Sequence, residues 1–111
     1  MSKYDRVMRK AYKFYNSPKS EETYALDHAL VSMIVPRLRL FIEDSTKIVD
    51  WDEHTKYAGI DVIKTCREII EDFNFYLENS ETDTLEVYKE YQKRLEHGFS
   101  LLGKVITHLG W

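Results

Sequence analysis

The chain has 111 residues, 43% of them hydrophobic and 32% charged, with four glycines, two prolines and one cysteine. That composition fits a single globular domain over residues 1–111 built from helices and short turns; it excludes an internal disulfide, leaves little room for a Gly-rich phosphate loop, and holds no window near the roughly 20 apolar residues of a membrane span. Net charge is −3, and the basic residues Lys3, Arg6, Arg9, Lys10, Lys13 and Lys19 crowd the N-terminal end against Asp5 alone. The remainder is acidic, which argues against nucleic acid as a partner.

The first predicted helix runs from about Asp5, a suitable N-cap, to Tyr15, where Asn16-Ser17-Pro18 stops it. Tyr4, Met8, Ala11, Tyr12 and Tyr15 share one side; Arg6, Arg9, Lys10 and Lys13 share the other. A second helix starts near Ser17 or Ser20 and ends near Asp44, with Pro36 inside it as a source of a kink. The acidic stretch Glu43 to Glu53 reads as a turn anchored by Trp51. Helix three is expected from about Asp52 to Leu77, its core arc running through Ala58, Val62, Cys66, Ile69, Phe73 and Tyr76. Asn79 and Ser80 break it, and Asp83 with Glu86 forms a capping-box signature for helix four. That last helix carries the seam Tyr88, Tyr91, Leu95, Gly98, Leu102, Val105 and Leu109, in which Gly98 suggests either close approach by another helix or simply a tolerated weak spot. The expected fold is all-α, an up-down bundle of three long helices with the short basic first helix as fourth member.

Asp27 stands out because the period of helix two places it amid Tyr24, Leu30, Val31, Ile34, Leu38 and Phe41, an apolar arc where a bare carboxylate is costly. Three roles are open to it: a structural ion pair or hydrogen-bonded cap, with Arg94 as the candidate partner, a metal ligand, or a catalytic acid or base. His28, Ser32 and Arg39 follow along the edge of the same helix and could line a polar cleft for an anionic ligand, giving Asp27, His28, Ser32, Arg39 and Arg94 as the candidate binding set. Under the metal alternative, Asp27, Glu68 and Asp72 would hold Mg²⁺ or Mn²⁺, with His28 as base, in a nucleotide phosphohydrolase. Otherwise no metal or cofactor is implied. Cys66, central on its arc, reads as a small buried hydrophobe. Tyr57 and Phe75 fall at one angle on the outside of helix three and, with Arg9 and Lys13 of the basic helix, suggest a partner surface or a homo-oligomer.

From Ala25 to Trp111 the chain resembles a family of small uncharacterised proteins encoded by tailed bacteriophages. The resemblance rests on Asp27-His28-Ala29-Leu30, Pro36-Arg37-Leu38, the run Ile69-Ile70 to Phe73, and Leu95-Glu96-x-Gly98-x-x-Leu101-Leu102-Gly103 ending in Trp111. Members usually carry a Gly-Pro-rich loop after the second helix, which here is reduced to the stretch Asp44 to Trp51. The resemblance implies a phage product acting in the bacterial cytoplasm; the lack of an apolar signal core after Met1 separately argues against secretion. The expected function is that of a non-enzymatic accessory protein binding a host component, either a host protein or a small anionic ligand such as a nucleotide, with no membrane partner.

Overall fold

The computed structural model describes residues 2–16 and 25–110, and of residues 11–16 the backbone alone. Within them the chain is all-α: α1 Lys3–Asn16, α2 Leu26–Ser45, α3 Trp51–Ala58, α4 Val62–Asn79 and α5 Leu85–Val105, closed by a single 3₁₀ turn at Ile106–His108. No strand occurs among the described residues, and no helix among them is long and apolar enough to cross a membrane.

Local chemistry sets the helix ends, and it corrects several expected boundaries. Ser2 and Asp5 form a reciprocal capping box: the Asp5 N–H donates to Ser2 Oγ at 3.1 Å and the Ser2 N–H to Asp5 Oδ2 at 3.4 Å. Asp5 is therefore the third helical residue rather than the cap. The expected start of helix two at Ser17 or Ser20 lies outside the described residues. The described helix begins at Leu26, behind Ala25 in the left-handed region at φ 49°. Pro36 lies inside α2, and one residue on the Arg37 Nη1 donates to the Met33 carbonyl at 2.9 Å.

The long third helix is in fact two. Gly59, at φ 71°, ends α3 with its N–H on the Thr55 carbonyl, a conformation that costs glycine nothing. Two residues later Asp61 caps α4 by accepting from the Lys64 N–H at 3.0 Å, as Asp50 caps α3 by accepting from the Glu53 N–H at 3.1 Å. Asp83 does not cap α5. Thr84 holds that position without a side-chain bond, and its own N–H donates to Thr82 Oγ1 at 3.1 Å.

Helix α4 is the centre of the fold and packs against both α5 and α2. It supplies Val62, Ile63, Cys66, Ile69, Ile70, Phe73 and Tyr76 to the core, joined by Val31, Val35 and Leu38 of α2, Trp51 of α3 and Val105 of α5. Cross-helix pairs fix the register. Asp72 meets Arg94 and His97, Phe73 meets Phe99, and Tyr76 meets Tyr91; from the Phe73–Phe99 pair to the Tyr76–Tyr91 pair one number rises as the other falls, so α4 and α5 are antiparallel. Asp27 meets Tyr76 at one end of α2, while Arg39 and Ile42 share a cleft with Arg67 and Ile70 further along, so α2 and α4 are antiparallel too. The described side chains of α1 are exposed through Lys10, Tyr4, Val7 and Met8 included. That part of α1 does not bury its apolar edge as a fourth bundle helix would.

Candidate functional site

Asp27 is not the buried charge that periodicity suggested. It is exposed, because the helix starts one residue before it. The Tyr76 hydroxyl, on the buried end of α4, donates to Asp27 Oδ2 at 2.5 Å. This bond, aided by the backbone N–H groups of His28 and Asp27 itself, holds the Asp27 carboxyl below its ordinary value despite some desolvation. Burial and the adjacent carboxylate push the Tyr76 phenol well up. A folded-state pKa below the unfolded one stabilises the fold above the ordinary carboxylate range, and that contribution disappears as pH falls through the depressed value. The raised phenol acts oppositely, and its contribution declines as pH climbs past the ordinary tyrosine value. Tyr76→Phe should therefore lower stability by about 0.5–1.5 kcal/mol at neutral pH. In urea denaturation at several pH values, the gap to wild type should close as Asp27 protonates; a gap unchanged at pH 2–3 would show that the bond to Asp27 is not its source.

Arg94, the expected partner of Asp27, goes elsewhere. Its Nε donates to Asp72 Oδ1 at 3.1 Å, and His97 Nδ1 reaches the other oxygen of the same carboxylate at 2.6 Å. The Arg94 guanidinium also lies over the Phe75 ring, 4.6 Å from its centroid. Asp72 is buried yet fully paired, as a carboxylate in an apolar interface requires. His97 gives little sign of this role in the sequence except that it follows Arg94 by three residues, and so shares its helix face.

The other expected groupings separate in the same way. His28 Nδ1 and Ser32 Oγ share a hydrogen bond of 3.3 Å on the exposed flank of α2. Arg39, eleven residues beyond His28, lines a different cleft with Arg67, Ile42, Ile70 and Glu71, so the five-residue binding set is not one site. Asp27 is bonded to Tyr76 and Asp72 to Arg94 and His97. Among the described residues no group of three or more His, Cys, Asp or Glu side chains could hold a metal ion, so Asp27, Glu68 and Asp72 are not gathered as a divalent-ion set. Tyr57 is 85% exposed on α3, but Phe75 lies on α4 under Arg94. The break at Gly59 removes the common face they were expected to share. Arg9 is exposed on α1, and the Lys13 side chain lies outside the described ones. Cys66 is fully buried, and burial pushes its thiol up to about 11, as suits a small core residue.

Two features had no counterpart in the sequence. His54 Nε2 and His108 Nδ1 lie 3.1 Å apart, joining α3 to the 3₁₀ turn across 54 residues, with the rings edge-to-face. Between α2 and α5 runs an apolar groove of about 310 Å³, lined by Ile34, Leu38, Phe41, Leu102 and Leu109, with Arg37 and Ile106 also on its walls. Arg37 is exposed and Ile106 is 54% exposed. Periodicity names the apolar residues, but only the tertiary arrangement leaves these ones uncovered. Comparison with protein-family models, curated proteins and solved structures returns no match for the chain.

Proposed function

We propose that this chain is a non-enzymatic accessory protein of a tailed bacteriophage that acts in the host cytoplasm by docking an amphipathic helix of a host protein along the α2–α5 groove. The observation that supports it is the groove itself: α2 on one side, and Leu102 of α5 with Ile106 and Leu109 on the other, hold apolar side chains apart around a space of about 310 Å³. Each Leu- or Phe-sized anchor buried there contributes about 1.5–3 kcal/mol, and helix-in-groove recognition uses such anchors at i, i+3 or i+4, and i+7. Arg37 on the wall suits a helix with an acidic flank. Interface burial of this kind requires neither a metal nor a nucleophile.

A photo-crosslinking residue placed at Ile106 or at Arg37 should capture one host protein in cells, and the same residue at Glu81 should not. Adding Ile106→Glu to the Arg37 crosslinker should lower the yield at least tenfold, the equivalent of about 1.4 kcal/mol of docking energy. Equal yields from Glu81, or adducts only between two copies of the chain, would overturn the host-protein reading.

A further inference from the structure

We infer that the cleft between α2 and α4 walled by Arg39 and Arg67 binds a small organic phosphate, the phosphate between the two guanidinium groups and the organic body on Ile42 and Ile70. This cleft is separate from the α2–α5 groove and does not depend on the function assigned to it. Its volume is about 320 Å³, at the lower end for small-ligand sites.

Arg39 comes from α2 and Arg67 from α4, and both are exposed. The described ion pairs join Lys56 to Glu53 and Arg94 and His97 to Asp72; neither Arg39 nor Arg67 has a carboxylate oxygen within 4.0 Å among the described residues. Glu71 is the one acid lining the cleft, so two positive charges face one negative and the local excess favours an anion. Arg67 also borders the space at the head of α4, which Asp50, Asp52, Asp61 and Lys64 line; Asp50 and Asp61 there are engaged in capping α3 and α4, and none of the three acids lies in ion-pair distance of Arg67. Guanidinium is the side-chain group whose planar fork matches a phosphate through paired N–H donors. Packing between α2 and α4 sets the spacing of the two arginine backbones, which lowers the ordering cost of clasping one anion.

The floor and the surrounding charge narrow the ligand further. Ile42 is half-buried and, with the small exposed edge of Ile70, forms an apolar floor, which inorganic phosphate would leave unused and a ring or short chain would cover. With the +5 of residues 1–19 set aside, the chain's net −3 leaves −8 over residues 20–111. A field of that sign repels a polyanion such as nucleic acid, while a ligand with one phosphate meets chiefly the local arginine pair.

Isothermal titration with phenyl phosphate at physiological salt tests this. Saturable one-to-one binding is expected, at least tenfold tighter than inorganic phosphate and absent for benzyl alcohol. Arg39→Gln and Arg67→Gln should each weaken it at least tenfold, Glu71→Gln should strengthen it severalfold, and Lys104→Gln, with the same change in net charge as the arginine variants, should leave it within twofold. All four side chains are exposed, and matching melting temperatures would confirm that the variants fold. No saturable binding, equal loss in Lys104→Gln, or preferential binding of phosphatidic-acid vesicles over phenyl phosphate would overturn the assignment.

Discussion

Gly98→Val should destabilise the protein by about 3 kcal/mol, lowering its melting temperature by roughly 12–20 °C. A Cβ built at Gly98 lies 2.5 Å from Phe73 Cε1, 2.8 Å from Phe73 Cδ1 and 3.3 Å from Asp72 Cβ. Phe73 has no room to retreat, since it is fully buried and packed against Phe99 with ring centroids 4.8 Å apart. Glycine inside a helix costs about 1 kcal/mol relative to alanine; its presence in the middle of α5 is offset by the closeness with which α4 can approach. Two effects therefore oppose each other in Gly98→Ala: better helix propensity and a ring contact far inside van der Waals distance. The contact should win, leaving a net loss of about 1–2 kcal/mol. Gly98→Ala in a Phe73→Leu background should cost at least 1 kcal/mol less than in wild type, because the smaller side chain vacates the clash. Urea denaturation of the four proteins checks this, and a Gly98→Ala variant more stable than wild type would mean that the helices can move apart at no cost. The same shift would disturb Asp72 next door, so the Arg94–Phe75 contact should loosen in the destabilised variants.

Gly98 was legible in the sequence because a missing side chain in an apolar seam has a local meaning. Asp27 misled because periodicity gives the face of a helix but not how far along it the packing extends: α2 starts at Leu26, and its opening stretch, Leu26 and Leu30 included, is exposed. The partners of the charged residues depend on register, which periodicity does not carry. The α4–α5 turn does carry it. With that turn centred near residue 82, an antiparallel partner of Asp72 must lie about ten residues beyond the turn. That places Arg94 within reach of Asp72 and leaves Asp27, on the other flank of α4, to Tyr76. Gly59 and Asp61 were also readable, as a left-handed stop followed by an N-cap, but the apolar arc on both sides hid the break. By contrast, the His54–His108 contact, the Arg39–Arg67 cleft and the open groove arise only from how α2, α3 and the 3₁₀ turn settle around α4. No local signal encodes them.

Trp51→Ala should be as damaging as the valine at Gly98, at about 3–5 kcal/mol, a sizeable share of the 5–15 kcal/mol typical of whole domains. The indole is buried between Phe41, with ring centroids 5.7 Å apart, and His54, 5.1 Å away. Its Nε1 donates to Ser45 Oγ at 3.0 Å, and Ser45 is itself fully buried. Trp51→Phe separates packing from hydrogen bonding: it keeps much of the apolar bulk but strands the Ser45 hydroxyl, for an expected loss of about 1–3 kcal/mol. Ser45→Ala strands the indole N–H instead. The double variant should lose less than the two single losses added together, since neither polar atom is then left buried without its partner. A Trp51→Phe variant within about 0.5 kcal/mol of wild type would mean that the Ser45 bond adds nothing net. The consequences reach beyond the α2–α3 corner. Trp51 positions His54, His54 holds His108, and the same 3₁₀ turn carries Ile106 on the wall of the α2–α5 groove. Losing the indole should therefore lower hydrogen-exchange protection in α3 and at residues 106–109 and cut the crosslinking yield from Ile106, while phenyl phosphate binding between Arg39 and Arg67 changes little in the fraction that remains folded. The groove depends on the Trp51 corner to hold its C-terminal wall, whereas the arginine cleft depends on the packing of α2 against α4.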